Sequence, residues 1–264
     1  MINRKWRQLF LGIIVSVMII ACSINYNTKG ISNFKVATDP TFLPFSYQTA
    51  NGKLEGFDID IINAVSQAAG LTLELESITF DGMIAALVVN RVDAAINGIT
   101  ITRERLQTIS FSRPYMKAGL AIAVREDNQD IKDFNNLAGK IIGVQIGTTG
   151  ANYAKTIPNV EIRNYNTGYE FFQDLINGNV DAVICDGFAT LYAIKTGNLS
   201  RVKVVGELLT QEYYGIAVPK NSSHLDSINK AIATIIENGA YKQIYQKWFS
   251  SEPPKLTDSV PSLS

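Results

Sequence analysis

The stretch VDAAINGITITRER, residues 92–105, joins an apolar strand pattern to a group of polar side chains. Its first half is apolar and reads as a strand, which an Asn-Gly pair ends. Thr100 follows, and Thr102 then has the position of a helix N-cap with Arg105 in the first turn. Two hydroxyls and a guanidinium beside a strand end favour a polar binding site, because ligands of open α/β sheets bind there.

Outward from this stretch, strand and helix patterns alternate. One helix pattern, 58–69, has Asp58 in the N-cap position and Gly70 beyond its end. Such alternation predicts an α/β fold with parallel strand pairing. The runs 120–124 and 214–218 are short and apolar, and we interpret them as strands that pass between two lobes. The remaining predictions are strands at 34–38, 71–75, 92–96, 141–144, 180–185 and 202–205, and helices at 82–90, 151–157, 168–177, 188–196 and 225–249.

The N-terminus has the pattern of an export signal over residues 1–21. A basic start precedes an apolar run at 9–20, and a small residue stands before Cys22. A signal peptide needs ~7–15 apolar residues, whereas a membrane-spanning helix needs ~20. The ending Ile-Ile-Ala-Cys resembles a bacterial lipobox, which predicts lipidation at Cys22. An ordinary cleavage site with a chance cysteine is the alternative.

The segments on either side of the main domain are polar. Residues 22–33 are rich in Asn, Ser and Thr, and we predict a tether there. Residues 251–264 contain three prolines, and we predict a disordered tail. The chain between them is long enough for one large domain or two lobes, since the 264 residues are 46% hydrophobic.

Composition argues against several functional classes. Three of the 24 basic residues lie in residues 1–21, which leaves 21 against 24 acidic residues and gives no electrostatic basis for nucleic-acid binding. Lipidation of Cys22 would leave Cys185 without a disulfide partner. His224 is the single histidine, so neither a Cys/His metal set nor a Ser-His-Asp arrangement is expected. We therefore predict no cofactor and no metal.

Polar groups follow several of the predicted strands. Because parallel strands bring their carboxyl ends to one edge, these groups are expected to meet. One Arg, hydroxyls and helix-start N–H groups suit a carboxylate, and an Asp suits an ammonium. Together they complement an α-amino acid. The groups are Asp39, Thr100, Arg105, Thr148, Thr149 and Asp186.

Each of these residues also has a purely structural interpretation. Thr102 is better explained as an N-cap than as a ligand group. Asp186 could simply cap the helix that begins at Gly187. Phe42 and Phe80 would ordinarily be core residues. The binding interpretation is favoured because several such groups occur in this chain, each directly after a predicted strand.

The chain also resembles a known family along residues 34–250. The similar motifs are GFDID at 56–60, GITIT with Arg105, the segment 143–150, DAV at 181–183 and YGIA at 214–217. They resemble the periplasmic polar amino-acid binding proteins of ABC importers, the family 3 solute-binding proteins, and most of all the glutamine-binding protein.

The resemblance implies a two-lobed periplasmic binding protein fold of type II. Lobe one would be discontinuous and two hinge strands would join the lobes, which would close around the ligand. The implied boundaries are 34–114 plus 215–250 for lobe one, 120–209 for lobe two, and 115–119 and 210–214 for the hinges.

The family also implies roles for particular residues. Arg105 would bind the α-carboxylate with Thr100 and the backbone at Thr149. Asp186 would bind the α-ammonium with the Gly98 carbonyl and Thr100. The side chain would lie between two aromatic rings, with an acid at its polar end. The complete predicted set is Asp39, Phe42, Phe80, Asn97, Gly98, Thr100, Arg105, Gln145, Thr148, Thr149 and Asp186.

Two positions depart from the glutamine-binding protein. Gln145 stands where that protein has a lysine, and Cys185 where it has a histidine. Without the lysine, Asp39 lacks a nearby cation, which favours arginine, lysine or histidine as the ligand. Gln145 can still donate to a glutamine carbonyl, so glutamine and the basic amino acids both stay open.

The expected function is therefore a non-enzymatic, monomeric receptor that is exported and delivers a polar L-amino acid to an ABC permease. An exported dehydratase of the cyclohexadienyl type is the enzymatic alternative, and it would need acid–base residues in the cleft. A soluble amino-acid sensor is the third possibility.

Overall fold

The computed structural model describes residues 33–261, which form one compact unit. The predicted signal peptide, the lipidation site at Cys22 and nearly all of the predicted tether lie outside these residues. None of the helices within residues 33–261 combines the length and apolarity needed to cross a membrane.

The first of two five-stranded sheets contains strands from both ends of this unit. Their order is β5-β1-β6-β15-β7. Strand β1 pairs in parallel with β5 and β6, whereas β15 is antiparallel to β6 and β7. We call this sheet and the helices on it lobe one. Its strands are β1 (Phe34–Thr38), β5 (Leu73–Ser77), β6 (Ala94–Ala95), β7 (Ile109–Phe111) and β15 (Ala217–Pro219).

The second sheet, with its helices, forms lobe two. Its order is β11-β10-β12-β9-β13. Strand β10 is parallel to β11 and β12, while β9 is antiparallel to β12 and β13. Apolar side chains cover both faces of each sheet, as expected for mostly parallel sheets. The strands are β9 (Leu120–Arg125), β10 (Ile141–Gln145), β11 (Glu161–Tyr165), β12 (Ala182–Asp186) and β13 (Val202–Val205).

Two short strands connect the lobes. They are β8 (Met116–Ala118) and β14 (Glu212–Tyr214), which pair antiparallel. Each leads directly into the antiparallel strand of the next sheet, β8 into β9 and β14 into β15. The prediction that 120–124 and 214–218 pass between the lobes was therefore wrong in detail, because all of 120–124 lies in β9 and only Tyr214 of the second run lies in a connecting strand.

Eight helices occur in residues 33–261. In lobe one, α1 packs against α7 and α8 on one side of the sheet. The helices are α1 (Phe57–Ala69), α2 (Phe80–Val88), α3 (Arg105–Thr108), α4 (Thr149–Ala154), α5 (Gly168–Asn177), α6 (Gly187–Lys195), α7 (Leu225–Glu237) and α8 (Ala240–Phe249), with a 3₁₀ turn at Phe134–Asn136.

The start of α1 differs from the prediction. Gly56 takes the N-cap position, so Asp58 lies inside the first turn and is fully buried. Gly70 ends the helix in the left-handed conformation as predicted, with φ 68°. The predicted N-cap role of Asp58 was wrong, and its burial needs another explanation.

Two segments have structure that the sequence analysis did not anticipate. A small sheet joins β2 (Thr41–Phe42), β3 (Ser46–Gln48) and β4 (Leu54–Glu55). The C-terminal segment through residue 261, predicted to be disordered, packs on lobe one. Its Val260 is buried in a cluster with Ile101 and Phe111, and its Asp258 forms an ion pair with Arg113. Apolar residues between the prolines explain this packing.

Candidate functional site

A cavity of about 420 Å³ lies between the two sheets and is lined by both lobes. A volume in this range is usual for small-molecule sites. Ten of the eleven predicted binding residues line it: Phe42, Phe80, Asn97, Gly98, Thr100, Arg105, Gln145, Thr148, Thr149 and Asp186.

Asp39 is the exception, because it does not line the cavity. Its Oδ1 accepts from the backbone N–H of Thr41 at 3.1 Å and from the Thr41 hydroxyl at 2.7 Å. Its Oδ2 accepts from the backbone N–H of Phe80 at 3.0 Å. The carboxylate therefore holds the start of β2 and the first turn of α2, which carry the Phe42 and Phe80 rings.

Arg105 reaches across the cavity from lobe one. Its Nη1 donates to the Thr100 carbonyl at 2.8 Å, and its Nη2 donates to the Gly147 carbonyl of lobe two at 3.0 Å. The guanidinium carbon lies 5.6 Å from the centre of the Phe80 ring. Burial lowers the pKa of Arg105, but a guanidinium stays protonated at neutral pH. No carboxylate of residues 33–261 forms an ion pair with it.

The backbone before Arg105 has the predicted capping contact. The Thr102 hydroxyl accepts from the Arg105 N–H at 3.2 Å. The helix α3 begins at Arg105 rather than at the predicted Thr102, and it is four residues long. Thr102 thus orients the turn that carries Arg105, and it does not line the cavity.

Gly98 adopts a conformation that a larger residue could not adopt there. Its φ is +57°, and an added Cβ would lie 2.7 Å from the Phe42 ring and 3.0 Å from the Tyr214 ring. Its N–H donates to the buried Oδ2 of Asp58 at 2.7 Å. Asn97, the residue before Gly98, is also held in place, since its Oδ1 accepts from the Asp39 N–H at 3.0 Å.

On the lobe-two wall, the predicted threonines lie at the start of α4. The Thr148 hydroxyl accepts from the Ala151 N–H at 3.1 Å and donates to the Gln145 carbonyl at 2.8 Å, so it is the N-cap. The Gln145 side chain donates from Nε2 to the Asn166 carbonyl at 2.8 Å. One amide N–H of Gln145 is therefore already engaged within lobe two.

Asp186 lines the cavity and also has the capping role considered from the sequence. Its Oδ1 caps α6 by accepting from the Ala189 N–H at 2.6 Å, and its Oδ2 accepts from the Tyr214 hydroxyl. Burial raises its pKa to about 6. The neighbouring Cys185 thiol lies 2.9 Å from the Thr190 hydroxyl, and burial raises its pKa to about 12, so it is not a reactive thiolate.

Among the lining residues missed from the sequence, Glu212 and Tyr214 both belong to β14. Glu212 is 9% exposed. Its Oε2 accepts from the Thr100 hydroxyl at 2.7 Å and the Thr149 hydroxyl at 3.1 Å, while Oε1 accepts from Thr210 at 3.3 Å. The sequence signal that could have found Glu212 is an acid directly before the largely apolar run in QEYYGIAV, since a buried acid is unusual.

The described residues offer little other catalytic or metal-binding apparatus. His224 packs 5.1 Å from the Phe34 ring in lobe one and does not line the cavity. No three His, Cys, Asp or Glu side chains of residues 33–261 cluster so that they could hold a metal ion. The chemistry of the cavity is thus that of one guanidinium, two carboxyl groups, hydroxyls and aromatic rings.

Comparison with known proteins decides the family. The model of the bacterial extracellular solute-binding proteins, family 3, matches residues 34–251. The chain belongs to this family. Its fold class, predicted from the sequence, is confirmed, since the similar solved structures are two-lobed periplasmic binding proteins of type II. Members of the family are extracellular, so this chain is an exported solute-binding protein.

Three relatives illustrate the range of the family. The L-cystine-binding protein TcyJ of Escherichia coli K12 is 30% identical, over 94% of this chain and 97% of its own. The arginine-, lysine-, histidine-binding protein ArtJ of Geobacillus stearothermophilus is 39% identical, with a TM-score of 0.79 over 84% and 96% of the two chains. AncCDT-1, an ancestral amino acid-binding protein and precursor of cyclohexadienyl dehydratase, is 36% identical, with a TM-score of 0.76 over 82% and 95%.

Proposed function

We propose that this family 3 solute-binding protein is the receptor of an ABC importer for an L-amino acid with a cationic side chain. The observation that carries the proposal is the charge of the cavity lining. Arg105 is the cation, and Asp186 and Glu212 are two acids. A zwitterionic amino acid leaves the charge of one of these acids without a cationic partner, whereas arginine, lysine or histidine supplies the extra positive charge.

The carboxylate end of such a ligand has its partners on both lobes. Arg105 uses two N–H groups for the Thr100 and Gly147 carbonyls, and a guanidinium has five. The remaining donors can bind a carboxylate, together with backbone N–H groups at the start of α4. Thr149 lies at that start and lines the cavity.

The ammonium end is assigned to Asp186, which lies on the opposite wall from Arg105. An ammonium beside Asp186 stabilises the ionised carboxylate, whose burial otherwise raises its pKa to about 6. The Gly98 carbonyl and the Thr100 hydroxyl are the further acceptors in this proposal, since both residues line the cavity.

The preference for a cationic side chain now depends on Glu212. Asp39, to which the sequence pointed, does not line the cavity, whereas Glu212 does. The aromatic faces of Phe42 and Phe80 add favourable surface for a guanidinium or ammonium. ArtJ, which binds arginine, lysine and histidine, supports the same ligand class.

Binding would be coupled to closure of the lobes. The contacts that join them include three sets of hydrogen bonds: Arg105 with Gly147, Tyr214 with Asp186, and Glu212 with hydroxyls of both lobes. Ligand contacts from both walls exist together only when the lobes meet, so the ligand stabilises the closed form. We place the hinges at the predicted segments 115–119 and 210–214, which contain β8 and β14, between lobe one (34–114 plus 215–250) and lobe two (120–209).

The proposal includes anchoring of a monomeric protein to the membrane by a lipid at Cys22. A tether over residues 22–33 would then let the domain reach a permease. The support is the lipobox-like sequence that precedes Cys22. Metabolic labelling with a fatty acid, compared between the wild type and Cys22→Ala, tests this part separately.

Titration calorimetry of the purified protein tests the ligand class. Arginine, lysine, histidine, glutamine, cystine and glutamate form the panel. We expect a basic amino acid to bind most tightly and glutamate most weakly. Tightest binding of glutamine or cystine would refute the charge argument. Turnover of prephenate or arogenate would instead establish the dehydratase alternative, for which Asp186 and Glu212 are the acids that line the cavity.

A matched pair of variants isolates Glu212. Glu212→Gln keeps an acceptor for the Thr100 and Thr149 hydroxyls but removes the charge, so it should reduce the preference for arginine over glutamine. Glu207→Gln removes a charge from an exposed residue nearby and should leave the preference unchanged. An unchanged preference in Glu212→Gln would remove Glu212 from the proposal.

A further inference from the structure

Asp58 is a buried acid behind the cavity wall whose position the fold alone does not explain. It is fully buried in the first turn of α1, and no cation of residues 33–261 forms an ion pair with it. An isolated buried carboxylate is costly. An apolar residue at this position would remove that cost, so the acid is expected to have a compensating function.

Its best contact is with a residue of the binding site. Oδ2 accepts from the Gly98 N–H at 2.7 Å. That bond fixes the peptide leading into Gly98, which is confined between the Phe42 and Tyr214 rings at a φ of +57°. The orientation of Gly98 therefore depends on a group that does not itself line the cavity.

The second oxygen of Asp58 has an unusual environment. Oδ1 and the Tyr115 hydroxyl are both buried, and neither has a hydrogen bond of ordinary length and angle within residues 33–261, although the two groups are close enough for the Tyr115 hydroxyl to lower the pKa of Asp58. The Tyr115 hydroxyl, just before β8, lowers the pKa of Asp58 by hydrogen bonding, whereas the charge of Asp186, at the end of β12, raises it. Neither is a cation, and Asp186 repels an ionised Asp58.

We propose that Asp58 is a positioning residue of the binding site: it fixes the Gly98 peptide, and its ionisation is coupled to occupation of the cavity by the ligand ammonium. This inference rests on the proposed function, since it uses the ammonium position beside Gly98 and Asp186. An ammonium there neutralises the repulsion between the two acids. Asp58 then releases its proton to solvent, and its carboxylate becomes a stronger acceptor for the Gly98 N–H.

The ionisation range makes this coupling measurable near neutral pH. Burial raises the pKa of Asp58 to about 7 and that of Asp186 to about 6. The ammonium is favoured only when both acids are ionised, so the affinity for the amino acid should fall as pH decreases through this range. Tyr115 does not contribute, because burial raises its pKa well above its usual value.

Asp58→Asn is the central variant, because an amide oxygen can still accept from Gly98 while the charge is lost. We expect its affinity at pH 8 to fall roughly tenfold, the difference between a charged and a neutral acceptor. Its affinity should also change less than that of the wild type between pH 8 and pH 5.5. Asp58→Ala leaves the Gly98 N–H without a partner and should bind more weakly still.

Asp60→Asn is the matched control in the same turn of α1. Asp60 bonds Lys247 and Trp248 through Oδ2, at 2.6 and 2.7 Å, on the other side of the helix from Gly98. It should keep the wild-type affinity and pH profile. Calorimetry in two buffers with different ionisation enthalpies counts released protons, and the wild type should release more than Asp58→Asn on binding.

The possible failures can be told apart. A wild type that binds no amino acid of the panel contradicts the proposed function. A wild type that binds, with Asp58→Asn equal to it in affinity, pH profile and proton release, overturns the role of Asp58. An Asp58→Asn protein whose affinity is reduced equally at every pH also overturns the proposed coupling.

Discussion

The two walls of the cavity hold their polar groups in different ways. On the lobe-one wall, Arg105 and Gly98 are supported from behind, Gly98 by the buried Asp58. On the lobe-two wall, Thr148 and Asp186 are themselves N-caps, of α4 and α6. A capping side chain both stabilises its helix and lines the cavity, so its removal lowers folding stability. A side chain that is only held by its neighbours can be removed with a smaller loss of folding stability.

This difference predicts how substitutions on each wall should affect ligand affinity and folding stability. On the lobe-one wall, ligand affinity and folding stability should change independently. On the lobe-two wall they should change together, unless the substitute retains a capping oxygen. Three measurements test the comparison.

The largest effect is expected for Arg105→Ala on the lobe-one wall. Loss of the cation from a site that binds a carboxylate should weaken binding by ~2–5 kcal/mol. The free energy of unfolding should change much less, since the two bonds of its side chain are to exposed or part-buried carbonyls. Calorimetry and urea unfolding measure the two quantities.

Arg91→Ala is the control for this substitution, because Arg91 pairs with Glu76 on the surface of lobe one. It should bind ligand like the wild type. Undiminished affinity in Arg105→Ala would contradict the assignment of Arg105 to the carboxylate, and a stability loss as large as the affinity loss would contradict the comparison of the two walls.

The second effect concerns stability and pH. The pKa of Asp58 rises from 3.8 to about 7 on folding, so the protonated acid favours the folded state. This contribution is complete below pH ~4 and is lost as pH rises through 7. Unfolding free energies at pH 5 and pH 8 should differ by roughly 1–4 kcal/mol, with the protein less stable at pH 8.

Asp58→Asn removes the titrating group and should flatten this pH dependence. Asp186→Asn should flatten it partly, because Asn keeps an acceptor for the Ala189 N–H while the acid with a pKa of about 6 is lost. Equal slopes for the wild type and Asp58→Asn between pH 5 and pH 8 would contradict the assignment.

The smallest effect is expected for Thr148 on the lobe-two wall. Thr148→Val removes the cap of α4 and should lower stability by ~0.5–2 kcal/mol. Ligand affinity should fall as well, since the same helix start faces the cavity. Thr148→Ser retains the hydroxyl and should restore both quantities. Reduced stability with unchanged affinity in Thr148→Val would show that the two functions of this wall are separable.

The fold was largely predictable because its signals are local. Strand β1 and helix α5 were predicted at their observed bounds, and the pattern around residues 92–105 placed Thr100 and Arg105 after a strand. Each of these follows from hydrophobic periodicity and capping residues within a short window. The same logic placed Thr100, Arg105, Thr148, Thr149 and Asp186 on one cavity, and the family resemblance added the other five lining residues of the predicted set.

The failures involve contacts that no local pattern reveals. Asp39 follows a strand like the other polar residues, yet its carboxylate is engaged by Thr41 and Phe80. Glu212 faces the cavity because β14 pairs with β8 between the lobes. Val260 is buried because a distant cluster accepts it. All three depend on long-range packing, which spacing along the chain does not encode.

The contacts that join the walls also bear on rates. In the proposed cycle, a ligand can leave only after Arg105 separates from Gly147, and after Glu212 separates from the hydroxyl of Thr149. Entry to the open form is free of these barriers and should be similar for related ligands. Differences between amino acids should therefore appear in the time each remains bound rather than in how fast it arrives.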